Sequence, residues 1–140
     1  MGLIHVEIDL INAGDKELVR RHLLDQDKMR RITVRALVDS GSMYMAINEN
    51  IQQVLQLPVI GKQRSQLANG QVMEYDIVDL LEVRFEKYTA ICYAVVLPEN
   101  AEPLLGAIPM ETMNVIINPS RQELVHSSTP AMLVGLRPVN

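Results

Sequence analysis

Apolar and polar residues alternate strictly at the start of the chain, where Ile4, Val6, Ile8 and Leu10 are separated by His5, Glu7 and Asp9. A period of two predicts a strand with one face in the core. Asn12-Ala13-Gly14-Asp15 has the composition of a turn and is expected to end it. Beyond it, Leu18, Val19, Leu23 and Leu24 fit either a second strand or a short helix over residues 16–24. The charged stretch Asp25 to Arg31 reads as a solvated loop. Ile32 to Val38 is again strand-forming, and its apolar residues predict a buried strand that delivers Asp39-Ser40-Gly41-Ser42 at its end. A carboxylate brought to an interior edge is costly unless it is paired or used. Asp39 is therefore the residue to explain.

The rest of the chain continues in short elements. Met43 to Ile47 is apolar and extended. Asn48 is a fitting N-cap for a helix through Leu57, with Ile51, Val54 and Leu55 on one face and Pro58 as its stop. Asn69-Gly70 between strand-like arms predicts a hairpin with a type I′ turn. Leu80 to Phe85 and Thr89 to Leu97 form a strand pair around Glu86-Lys87. Pro103-Leu104-Leu105-Gly106 then leads to Pro109, read as the first residue of a short helix to about Met113. Val115 to Ile117 and Gln122 to Val125 make a last hairpin, and the tail carries the apolar run Ala131 to Leu136. Many short strands with one or two short helices indicate a mostly-β barrel or sandwich.

Composition narrows the function classes. At 140 residues the chain reads as one domain able to bury a core, and 48% hydrophobic with 21% charged residues argues against disorder. A net charge of −4 gives no basic footprint for nucleic acid or anionic lipid. With 4% aromatics and no Trp, stacking platforms for bases or sugars are not expected. A single cysteine, Cys92, can make no internal disulfide and suits a reducing compartment. The first residues carry charge too early for a signal peptide and lack the Ser or Thr of a myristoylation signal. No apolar run approaches a membrane span. A cytoplasmic, soluble protein is the expectation.

Most chemistries find no support. His5, His22 and His126 have no metal-ligand spacing with one another or with Cys92, so no metal and no cofactor are expected. His5 reads as a surface histidine and Cys92 as a small core residue. The eight methionines read as packing filler, and no Gly-Xaa-Ser-Xaa-Gly or phosphate-binding glycine loop is present. Asp39-Ser40-Gly41 remains. Alone, such a triplet is a common turn whose aspartate caps backbone amides.

In its context the triplet gains meaning. An aspartate after Ala36-Leu37-Val38, an Asn-Gly hairpin thirty residues on, and Leu104-Leu105-Gly106 before a helix resemble, in that order, the retropepsin-like aspartic proteases. The similarity spans about Ile32 to Val125 and is greatest to the small bacterial and cyanobacterial members. It implies a closed β-barrel of the acid-protease type with a flap hairpin, a protease domain over residues 1–125 with its core match at 32–125, and a tail over 126–140 that could join a dimer interface. It implies Asp39 as catalytic, Ser40, Gly41 and Ser42 as supporting residues, and Ala68, Asn69, Gly70 and Gln71 as the flap over a peptide or protein substrate. Leu104, Leu105 and Gly106 would pack behind the site. A plain surface hairpin is an equal reading of Asn69-Gly70. The stretch Leu67 to Met73 holds one glycine where retroviral flaps hold several, and residues 16–31 have no counterpart in a minimal protease.

The chemistry sets its own condition. Hydrolysis through carboxylates needs one ionised group to take a proton from water and one protonated group to polarise the carbonyl. Two carboxylates about 3 Å apart repel by roughly 5 kcal/mol at an effective dielectric near 20, so a pair shares one proton. Asp9, Asp15, Asp25, Asp27, Asp76 and Asp79 are not followed by Ser-Gly, so this chain supplies one suitable aspartate. The expected active unit is a homodimer with Asp39 from each chain. A Ser42 hydroxyl donating to that carboxylate would favour its charged form, so Ser42→Ala is expected to raise the acidic limb of a pH–rate profile; an ordinary turn hydroxyl is an equal reading. Two other functions compete: an idle peptide-binding or dimerisation module of the same fold, and a β-rich scaffold domain with a coincidental triplet.

Overall fold

The computed structural model describes residues 3–127, so the expectations for the tail from residue 128 onward lie outside the described residues. Strand β1 (His5–Asn12) follows the alternation at first, then buries Leu10, Ile11 and Asn12 in succession. The reason is its position: it pairs with both β2 (Arg31–Val38) and β5 (Val72–Phe85). Asn12 does not begin a turn. Its Oδ1 accepts from Asp15 N at 2.9 Å and caps helix α1 (Ala13–Arg20), which settles the open choice over residues 16–24.

The segment after α1 contains one 3-10 turn at Gln26–Lys28, and it is not simply solvated. Arg30 places Nε and Nη2 2.8 Å from the buried Asp15 carboxylate, and its backbone N donates to the same group at 2.9 Å. Next to it, Lys16 Nζ lies 2.9 Å from the buried Glu82, which also accepts from Arg84 at 3.2 Å. The charges of this insertion thus pin α1 onto the sheet. Hydrogen bonds from Arg30 hold the Asp15 carboxyl below its ordinary value. A lowered folded-state value means the stabilisation is complete above the unfolded value of about 3.9 and is lost as pH falls through the folded one. Asp15→Ala is therefore expected to cost about 2 kcal/mol in urea unfolding at pH 7, with the gap shrinking below about pH 4. A pH-independent gap would contradict this account.

Strand β2 buries only Ala36 completely, while Arg31, Thr33 and Arg35 face solvent. This corrects the expectation of a strand buried on both faces, because β2 has core on one side only. Strand β3 (Met45–Asn48) is buried throughout. Asn48 caps α2 (Glu49–Leu55) through Ile51 N at 2.8 Å, as expected. The helix ends two residues early, at a left-handed Gln56, and its buried face holds Ile51 and Leu55 while Val54 is exposed. At about 3.6 residues per turn, Val54 lies about 100° around the helix from its neighbour Leu55, at the far edge of the stripe that Ile51 and Leu55 define.

Strand β4 (Val59–Gln66) and β5 form the predicted hairpin, but not with a type I′ turn. Gly70 alone in the connection has a positive φ, 89°, with Gly70 N donating to Leu67 O and Leu67 N to Gln71 O. That is a three-residue connection ending in a left-handed glycine. Strand β6 (Tyr88–Leu97) returns along β5, and the two-residue β7 (Leu104–Leu105) precedes α3 (Ala107–Met113). Pro109 is the third residue of α3, not the first; it stays in the first turn, where an N–H has no partner inside the helix. Strands β8 (Val115–Asn118) and β9 (Glu123–His126) form a separate pair.

The main sheet runs β1-β2-β7-β3-β6-β5-β4, and β1 also pairs with β5. Six strands therefore form a ring of pairings, with β4 outside it. The architecture is mostly β, with three α-helices rather than one or two among the described residues. Ile8, Leu10, Ala36, Met45, Ile47, Leu81, Val83 and Leu105 form the core. No helix among the described residues is long and apolar enough to cross a membrane.

Candidate active site

The backbone of Asp39 is held from both sides of its strand. Val38 N donates to Ile4 O at 2.8 Å, and Asp39 N donates to Leu105 O at 3.0 Å, at the end of a parallel pairing of β2 with β7. The chain then turns tightly, with Ser42 N bonded to Asp39 O at 3.1 Å. The carboxylate is half-buried and accepts one backbone hydrogen bond, from Gly41 N to Oδ1 at 3.0 Å. Asp9, Asp15 and Asp76 are each paired with a cation, whereas among the described residues no cation lies against Asp39, as is also the case for Asp25, Asp27 and Asp79. A Cβ on Gly41 would stand 3.3 Å from that same Oδ1, tighter than most such contacts.

Leu104-Leu105-Gly106 runs directly behind the loop. A Cβ on Gly106 would lie 2.2 Å from Tyr44 O and 2.8 Å from Ser42 O, so only glycine fits there. Ala107 N and Ile108 N then donate to Ser42 O and Met43 O at 2.7 and 2.9 Å. The start of α3 and the loop after Asp39 are thus locked together by backbone. Ser40 is exposed, with no side-chain hydrogen bond among the described residues. The Ser42 hydroxyl donates to Tyr44 O at 3.2 Å and not to Asp39, which removes the ground for the expected shift of the acidic limb. Ser42→Ala is now expected to leave that limb in place in a pH–rate titration.

A groove of about 410 Å³ opens beside the loop. Ser42, Met43 and Leu104 line one side, and Gln63, Ser65 and Tyr75 of the β4–β5 hairpin line the other; among the described residues no charged one borders it. Tyr44 separates it from a second, apolar recess of about 340 Å³ bounded by Ile60, Ile77 and Tyr93. The roomier clefts, of about 540 and 590 Å³, lie beside β1 and β9 and between α2 and β5, and both have charged walls; Asp39 lines neither of them nor the groove, which meets its loop through Ser42.

The sequence residues are thus only partly gathered. Asp39 to Ser42 and Leu104 to Gly106 meet in one place, while Ala68, Asn69, Gly70 and Gln71 are exposed at the hairpin tip and do not line the groove. Gln63, Ser65 and Tyr75 do line it and were missed. The alternation of Gln63 and Ser65 along β4, with Tyr75 opposite Gln63 in the register, is the signal that could have found them. His5 bonds Glu102 at 2.8 Å, and burial pushes the half-buried Cys92 thiol up to about 12, with the Asp79 carboxylate adding to the effect.

Residues 28–108 match the family described as aspartyl protease, a span that contains Asp39, the hairpin and Leu104-Leu105-Gly106. No curated protein matches the chain. By that match over more than half of its length, the chain belongs to the aspartyl protease family.

Proposed function

We propose that the protein is an aspartic endopeptidase whose active site forms between two copies of the chain, with Asp39 of each as the acid pair. The ring of strands is then the closed barrel of an acid protease, and the β4–β5 hairpin its flap. The observation that supports this reading is Asp39 itself: a carboxylate with a clamped backbone and no cation partner among the described residues, in a loop whose Ser42 lines an uncharged groove under a hairpin. One chain offers one such group, so the pair requires a second chain.

The mechanism follows from the single shared proton. The ionised Asp39 takes a proton from water as the water oxygen bonds to the peptide carbonyl carbon. The protonated Asp39 of the other chain gives its proton to the carbonyl oxygen. Proton return to the amide nitrogen then lets the C–N bond break, leaving a carboxylic acid and an amine. The exposed Ser40 hydroxyls would then bond to each other's loops across the pair. The peptide lies extended in the groove, with Gln63, Ser65 and Tyr75 above it.

This reading ties activity to assembly. Cleavage of an unfolded protein, measured between about pH 4 and 7, is expected to fall faster than linearly as the protein is diluted, while sedimentation reports loss of a species of twice the chain mass. Constant activity per chain in a strictly monomeric sample would overturn the proposal. A folded dimer that binds peptides and cleaves none at any pH would instead identify an idle module.

A further inference from the structure

Strand β6 breaks the alternation of a strand covered on one side. Its core face carries Ala90, Ala94 and Val96, all buried, yet its other face carries Ile91, Tyr93 and Val95 in place of polar residues. A strand apolar on both faces reads as one covered on both. Among the described residues the second face is left open, with Ile91 59% and Tyr93 49% exposed. The recess of about 340 Å³ behind Tyr44 lies along it. Through Tyr44 and Tyr93 it adjoins another of about 400 Å³, which takes in Ile91 and, at the start of α3, Ile108. Together they make a largely apolar trough on which Asp79 is the one charged residue among those described. Asp79 is half-buried, accepts a hydrogen bond from Leu80 N at 2.6 Å, and is paired with no cation among the described residues.

The end of the described chain is pinned close by. His126 stacks on Tyr88, the first residue of β6, with 3.9 Å between ring centroids. Ser127 is buried and tied to Asn114 at the end of α3, through Ser127 N to Asn114 O at 2.8 Å and Asn114 Nδ2 to Ser127 O at 2.7 Å. From there to Ile108 is the length of α3, which at seven residues is about 10 Å. Ser128-Thr129-Pro130 reach about 10 Å when extended. Ala131-Met132-Leu133-Val134-Gly135-Leu136 come next, and then Arg137, the one charged side chain in residues 128–140.

We propose that residues 131–136 fold back along the trough of their own chain and cover the outer face of β6, with Arg137 beside Asp79. The segment is apolar where the trough is apolar, brings a cation to an unpaired anion, and begins one helix length away. A second copy fits less well. The exposed parts of Tyr44, Ile60, Ile91 and Tyr93, each about half of its side chain, come to roughly 400 Å². That is half of the roughly 800 Å² that each partner of a stable dimer buries. Tyr44 is also the wall between the trough and the groove beside Ser42, so the seated tail backs that wall and leaves the groove open. The inference holds whether or not the groove is a peptide channel.

The chain has no Trp, so Leu133→Trp in the full chain is a sole reporter. Its emission is expected to be blue-shifted, with acrylamide quenching at least about threefold weaker than in the free peptide 128–140 carrying the same change. Neither reading should alter on dilution. Ile91→Asp, at an exposed position, puts a charge into the trough and is expected to bring quenching to the level of the peptide. Arg137→Glu leaves the body of the protein untouched, sets a like charge beside Asp79, and is expected to raise quenching as well. A reporter as exposed as in the peptide overturns the proposal and leaves the trough to another protein. Protection that neither variant lowers places the tail elsewhere, and protection lost on dilution places it on a second copy; either result overturns the proposal.

Discussion

Asp39→Asn is expected to abolish cleavage of an unfolded protein while leaving the chain as stable as its parent. The amide keeps the shape of the side chain and can accept the one hydrogen bond that Gly41 N gives to Oδ1. No cation among the described residues loses its partner, so unfolding free energy should change by no more than about 0.5 kcal/mol. Chemistry fares differently. An amide can neither take the proton from water nor return one to the leaving nitrogen, and in a symmetric pair both members are replaced together. A loss of at least roughly 10³-fold is expected. Undiminished cleavage by the pure variant would show that the activity resides elsewhere. A variant that fails to fold would contradict the structural account of a carboxylate with little to stabilise.

Gly106→Ala is the second large effect, and it runs the other way, from stability to activity. The added carbon would lie 2.2 Å from Tyr44 O and 2.8 Å from Ser42 O, against backbone that is itself bonded to Ala107 and Ile108. No flexible side chain is there to yield. The expected cost is about 3 kcal/mol, at the upper end of overpacking, which corresponds to roughly 10 °C in Tm. Because the displaced backbone is the loop that follows Asp39, activity should fall even at temperatures where the variant stays folded. A melting temperature equal to the parent's would refute the close approach.

How much of this could be read in advance depends on the range of the interaction. The strands, the Asn48 cap and the hairpin are legible because each rests on residues within one or two turns of one another. The triplet at residues 39–41 and Leu104-Leu105-Gly106 are legible through their order along the chain. The Asn12 cap was read as a turn because the same short polar residues serve both purposes, and what decides between them is the helix held afterwards by Arg30 and Glu82. Those partners are 15 and 66 positions from Asp15 and Lys16, beyond any local pattern. Gln63, Ser65 and Tyr75 escaped for a related reason: uncharged residues on an exposed hairpin become a groove wall only once β3 and β7 lie opposite. Ser42 shows the limit of arguing from type alone, since its hydroxyl donates to the Tyr44 carbonyl and not to a carboxylate.

The bond from Asp39 N to Leu105 O has a consequence for the order of folding. It joins two segments far apart in the chain, and the parallel pairing of β2 with β7 that carries it closes only after β3 to β6 have been threaded between them. Contacts of such long sequence separation form late, because the loop-closure entropy must be met before they contribute. A chain still emerging during synthesis, before Leu105 is available, therefore presents Asp39 on an unanchored strand end. The Asp39 backbone acquires its fixed place only when the fold is nearly complete, so a partly made or partly unfolded copy holds that carboxylate on a loose strand end.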